Sequence, residues 1–104
     1  PAIVKHAVTN DEIWFNHAFF FNKFSYSEDF LSILDSDEDL PFSTFYGDGT
    51  SISKVEYDLI KKAYDNSRVE FPWKKGDILM VDNYLISHAR NSYDGERQIV
   101  VSIF

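Results

Sequence analysis

Six residues, Asp77-Ile78-Leu79-Met80-Val81-Asp82, set the tightest limit on how this chain folds. Four consecutive apolar side chains leave neither face polar, so the run suits a strand buried on both sides. Gly76 turns the chain into it after Val69-Glu70-Phe71 alternates and Pro72 interrupts the ladder. A short strand over 84–87 then reaches His88, a loop covers 89–96, and a final strand runs over 97–104. One imidazole and one guanidinium, His88 and Arg97, thus stand at the facing ends of two apolar strands.

The rest of the chain supplies a small frame for these strands. Ala2-Ile3-Val4 and Ile13-Trp14-Phe15 flank the turn formers Thr9-Asn10-Asp11-Glu12, which predicts a hairpin. Residues 25–40 carry six of the 17 acids, with Phe30, Leu31, Ile33 and Leu34 at helical spacing. One or two helical turns running into a solvated acidic loop are expected there. Asp35-Ser36-Asp37-Glu38-Asp39 lacks the central glycine and distal glutamate of a calcium loop. Tyr46-Gly47-Asp48-Gly49-Thr50 reads as a turn, and no lysine follows at a phosphate-loop offset. Ser53 with Glu56 forms a capping box, and Val55, Leu59, Ile60 and Ala63 recur at helical intervals, which predicts a helix over 54–65. The expected class is mainly β with helical insertions (α+β), one helix against several antiparallel strands.

Composition removes several classes of function. At 104 residues the chain is one domain at most. Its 17% aromatic content, with ten Phe and six Tyr, excludes disorder and favours a sheet-rich interior. A net charge of -7 with ten scattered Lys and Arg argues against nucleic acid and against an anionic membrane surface. The lack of cysteine removes thiolate metal sites and accords with a cytoplasmic location. No apolar run is long enough to span a bilayer, and the first residues lack the form of a signal peptide.

His88 lies where an apolar strand gives way to a polar loop, a place that fixes the ring and leaves it open. Neutral imidazole suits iron, zinc and copper, and iron oxygenases combine two histidines with one carboxylate. The other reading is a hydrogen-bonded histidine at a strand end. Arg97 follows nine residues later, across the turn formers Asn91, Asp94 and Gly95. In a paired hairpin the two side chains would share a face about 5 Å apart at the backbone. A guanidinium fork matches a carboxylate, so Arg97 could hold an anionic cosubstrate beside a metal at His88. Its other reading is a surface arginine paired with Asp94 or Glu96. His6 precedes a turn, and His17 lies among Phe15, Phe19, Phe20 and Phe21, where a core or cavity histidine is expected. Covalent catalysis has no motif support.

Several segments occur in a telling order: Pro1 to His6, Glu12-Ile13-Trp14-Phe15-Asn16-His17, Phe45-Tyr46-Gly47-Asp48-Gly49 and Phe71-Pro72-Trp73. Lys75-Gly76-Asp77-Ile78-Leu79, Asp82-Asn83, His88-Ala89-Arg90 and Gly95-Glu96-Arg97 complete the set. Together they resemble the C-terminal half of the taurine dioxygenase (TauD/TfdA-like) family of Fe(II)- and 2-oxoglutarate-dependent oxygenases. The resemblance is nearest to the branch that hydroxylates amino acids in natural-product pathways.

That resemblance implies the C-terminal part of a double-stranded β-helix, a clavaminate synthase-like jelly roll. It implies His88 as the distal metal ligand, Arg97 as the partner of the far carboxylate of 2-oxoglutarate, and Arg90 as the arginine of a His-Gly-Arg segment in which Ala89 replaces glycine. Asn16 and His17 fall in a segment similar to one that flanks the substrate cavity. Fe(II), 2-oxoglutarate and O2 are the implied cofactor and cosubstrates, in a dioxygenase that hydroxylates an unactivated C–H bond. The implied partners are a small-molecule substrate, such as a free amino acid or one borne on a carrier protein, and a second copy in a homo-oligomer.

The family's other two ligands form a His-x-Asp or His-x-Glu motif upstream of the region resembled, and none occurs in these 104 residues. Residues 1–104 are therefore expected to be a partial domain, the C-terminal part of a catalytic domain and inactive when isolated. The competing reading is a non-catalytic β-domain that serves as a binding or assembly module.

Overall fold

The hairpin forms from the two apolar runs that flank the turn formers at 9–12. In a computed structural model that describes residues 2–103, β1 (Ile3–Lys5) pairs antiparallel with β2 (Glu12–Trp14), in the register Ile3 to Trp14, Val4 to Ile13 and Lys5 to Glu12. Asn10 takes the left-handed conformation (φ 61°) that asparagine tolerates. The His6 N–H donates to the Asp11 carbonyl at 2.9 Å and closes the loop. Because side chains alternate along a strand, Val4 and Ile13 point to one face and His6 continues it. Ile13 and His6 are both buried.

After the hairpin the chain folds back through residues 15–24 onto a helix. Asn22 is almost fully buried, yet its amide is satisfied: Oδ1 accepts from the Phe24 N–H at 3.1 Å, and Nδ2 donates to the Thr44 hydroxyl at 3.2 Å. A single 3-10 turn (Lys23–Ser25) follows. The acidic region contains α1 (Glu28–Ser32), capped by Ser27, with Glu28 and Asp29 beside the positive helix end. A second 3-10 turn (Asp37–Asp39) is capped by Ser36, and Lys23 pairs with Asp37 at 2.5 Å. This is the short helix and acidic loop that the composition predicts.

α2 (Lys54–Ser67) is the longest element. The Ser53 hydroxyl accepts from the Glu56 N–H at 3.3 Å while Glu56 reaches back to the Ser53 N–H at 2.8 Å, which is the predicted capping box. Its buried face is not the stripe that the apolar count suggests. Val55 and Leu59 face outward, whereas Tyr57 and Tyr64 face inward and stack on Phe19, with centroids 5.4 and 4.9 Å away. Aromatic partners from residues 15–24 select the tyrosines, because offset rings give larger contact than aliphatic side chains.

The cap gives a testable pH dependence. The Glu56 carboxyl is held below the usual carboxylate range, first by the Ser53 hydroxyl and N–H and then by the Tyr46 hydroxyl. A lowered value means that the unfolded chain binds this proton more readily. The contribution is therefore complete above the ordinary value and is lost as pH falls through the lowered one. Helical circular dichroism should fall over that acid range, and Glu56→Gln should reduce the step. Ser53→Ala should cost about 1 kcal/mol, read as a lower denaturant midpoint.

The last third departs from expectation. Among the described residues, 68–103 contain no strand, so the predicted strands over 77–82, 84–87 and 97–103 are absent; Phe104 lies outside the described residues. Gly76 (φ 95°) does turn the chain, with Asp77 bonded back to the Lys74 carbonyl at 3.1 Å. Residues 83–85 form a turn where a strand was expected, because the Asp82 side chain accepts from the Tyr84 N–H at 2.9 Å and its carbonyl accepts from Leu85 and Ile86. A run that is apolar on both faces becomes a strand only with ladder partners on its edges. Among the described residues no segment takes that position, and Ile78 (94% exposed), Val100 (85%) and Ile103 (90%) face solvent.

The dimensions agree. The radius of gyration is 16.7 Å, against about 13 Å for a compact chain of this length. The exposed surface is 9385 Å², where a compact protein of this mass shows about 6,000 Å². Among the described residues the buried apolar side chains are Ile13, Ile52 and Tyr57, in place of the sheet-rich interior anticipated from the aromatic content.

Candidate functional site

The hairpin and the segment leading to His88 meet at one place. The Thr9 backbone N–H donates to His6 Nδ1 at 3.2 Å, so that nitrogen carries a lone pair. The ring proton is therefore assigned to Nε2, which donates to Asp82 Oδ2 at 3.1 Å. Asp82 is held below the usual carboxylate range, first by the Tyr84 N–H and then by this imidazole. Tyr84 in turn stacks on Phe15, with centroids 4.8 Å apart at 13°, and meets the His6 ring edge-on at 6.4 Å. The pair joins residues 76 positions apart.

Sequence reading passed over this contact. A histidine before one turn and an aspartate before another share no local pattern. The available signal was the strand period, which places His6 on the same face as Val4.

The predicted site residues fall in separate places. His88 and Arg90 are both exposed. Arg97 is partly buried, with its guanidinium over the Tyr93 ring at 4.8 Å, close enough for a cation–π contact. Among the described residues it is this ring, rather than the Asp94 or Glu96 carboxylate, that holds the guanidinium. An open recess there is lined by Tyr93, Gly95, Glu96, Arg97 and Gln98, and Gly95 adopts φ 91° to shape the loop. His88 is not part of that lining.

Asn16 lies at the end of the hairpin. Its Nδ2 donates to the Ala2 carbonyl at 2.8 Å and its Oδ1 accepts from the Ala18 N–H at 2.9 Å. His17 is exposed and stacks on Phe21, which stacks on Phe42. Both flank the aromatic segment, and neither lines the recess at Arg97.

Among the described residues, no three His, Cys, Asp or Glu side chains converge to hold a metal ion. His88 alone does not fit iron, since one imidazole is not a facial triad. Among the same residues, no helix is long and apolar enough to cross a membrane.

The profile of the TauD, TfdA family, described as taurine catabolism dioxygenase, matches residues 1–103. The chain belongs to this family. TauD/TfdA proteins are in general Fe(II)- and 2-oxoglutarate-dependent dioxygenases of jelly-roll fold that act on small molecules. Two curated relatives agree with the natural-product branch that the sequence resembles. Dapdiamide synthesis protein DdaC of Enterobacter agglomerans is 33% identical over 103 residues, covering 95% of this chain and 31% of that protein. A clavaminate synthase-like protein of Arabidopsis thaliana is 26% identical over 104 residues, covering 99% of this chain and 29% of that protein. The chain thus spans about a third of the length of either relative. No solved structure gives a significant match.

Proposed function

We propose that this chain is the C-terminal part of the catalytic domain of an Fe(II)- and 2-oxoglutarate-dependent oxygenase. The observation that carries the reading is the family match across residues 1–103. Two physical features support it. The chain exposes roughly half as much surface again as a compact protein of its mass. The apolar run 78–81 also has no ladder neighbour among the described residues, although such a run requires one. Both are what the edge of an incomplete double-stranded β-helix would present.

In the complete enzyme, His88 supplies one ligand to the metal, and residues beyond this chain supply the others. Arg97 holds the far carboxylate of 2-oxoglutarate through its planar fork, with Tyr93 keeping the guanidinium extended and partly dry. Arg90 adds positive charge near the same cosubstrate. Asn16 and His17 border the substrate side. The overall reaction consumes 2-oxoglutarate and O2 and yields succinate, CO2 and a hydroxylated substrate. The redox chemistry belongs to the iron, and the protein contributes geometry and electrostatics. The substrate in this reading is a free or carrier-bound amino acid, because the ordered segments resemble most nearly the branch of the family that hydroxylates amino acids.

The test compares this chain with a form extended at its N-terminus through a His-x-Asp or His-x-Glu motif. Iron-dependent succinate release is expected from the longer form alone. A folded longer form that binds no iron and releases no succinate would instead favour the non-catalytic module.

A further inference from the structure

We infer that His6 and Asp82 form a positioning latch that fixes the turn before His88 to the N-terminal hairpin. His6, one residue past β1, continues the face of Val4 by strand alternation and is buried there. Its ring is gripped from both sides: Thr9 N–H donates to Nδ1, and Nε2–H donates to Asp82 Oδ2. Asp82 divides its oxygens, one to His6 and one to the Tyr84 N–H, while its carbonyl takes the Leu85 and Ile86 N–H groups. One imidazole therefore orients the carboxylate that organises the whole turn over 83–85. Phe15 against Tyr84 closes the contact on its apolar side.

The consequence lies six residues downstream. His88 is exposed, so its direction follows mainly from the backbone that carries it. Its path is set on one side by the turn at Asp82, tied through His6 to the hairpin, and on the other by Asn91, whose Nδ2 donates to Glu70 Oε1 at 3.2 Å. His6 and Asp82 are positioning residues, since neither reaches the metal or the cosubstrate. Groups that orient metal ligands typically change metal affinity or activity by about 10–100-fold when removed.

The latch can be tested in this chain without any oxygenase activity. Loss of one charge-assisted hydrogen bond should speed amide exchange at Leu85 and Ile86 by about tenfold in His6→Ala, while α2 amides keep their rates. His6→Gln retains an N–H donor at similar reach and should restore most of the protection. The nitrogen resonances of His6 should report a proton on Nε2 in the parent chain. Unchanged exchange at Leu85 and Ile86 in His6→Ala, or a proton on Nδ1, would overturn the latch. If His6→Ala fails to fold, the comparison of parent with His6→Gln decides: exchange that rises in the turn as much as in α2 counts against it.

The effect on the metal rests on the oxygenase reading and is measured in the longer form. There His6→Ala should raise the iron concentration needed for half-maximal succinate release by about 10–100-fold, with His6→Gln recovering most of it. An unchanged iron requirement in an active parent would refute the positioning role. An inactive parent with intact latch exchange would refute the oxygenase reading instead.

Discussion

His88→Ala, made in the N-terminally extended form of the proposed oxygenase, is expected to lower succinate release by more than about a hundredfold and to leave thermal stability nearly unchanged. The first half follows from coordination: removing a group that merely orients a ligand already costs up to that factor, and His88 is assigned as the ligand itself. The second half follows from exposure. A side chain facing solvent takes little packing with it, and such surface changes fall within about 0.5 kcal/mol. Steady-state succinate release together with a melting curve checks both halves. Near-parental turnover in the variant would remove His88 from the metal site. Loss of fold would show that its role is packing.

Arg97→Ala should raise the 2-oxoglutarate concentration for half-maximal rate on the order of a hundredfold, with the saturated rate little changed. Two parallel hydrogen bonds between guanidinium and carboxylate are worth about 3 kcal/mol together, and 1.4 kcal/mol is tenfold. The far carboxylate does not change during the reaction, so its anchor binds ground state and transition state alike. That is the pattern of a raised KM with kcat retained. Arg97→Lys should fall between the two, since it keeps the charge and loses the fork. A collapse of kcat at saturating 2-oxoglutarate would contradict a purely anchoring role.

The elements legible in the sequence are those whose causes are local. Asn10 makes the hairpin turn, the Ser53–Glu56 box starts α2, and the Gly49 turn closes where two glycines lie close together. Each depends on residues within a few positions of one another. The buried face of α2 was less legible, because counting Val55 and Leu59 ignores that the partners are Phe19, Phe20 and Phe24. The strands predicted over 77–82, 84–87 and 97–103 depend on edges that none of the described residues occupies. Apolar pattern states what a strand needs and not whether a neighbour exists to supply it.

The candidate site divides along the same line. The motif pieces around His88 and Arg97 were readable, and the family match over residues 1–103 agrees with the family they resemble. Their mutual geometry was not, since it depends on the same missing ladder. The contact between His6 and Asp82 was invisible for another reason: it spans 76 positions and neither residue sits in a pattern that names the other.

The central claim is that the imidazole at 88 and the guanidinium at 97 face one cavity in the complete domain. Mn(II) put in place of Fe(II) in the longer form tests it directly through paramagnetic broadening of arginine side-chain resonances. The account predicts that Arg97 broadens on metal addition and that His88→Ala abolishes the effect. A sharp Arg97 signal with the metal bound would contradict it.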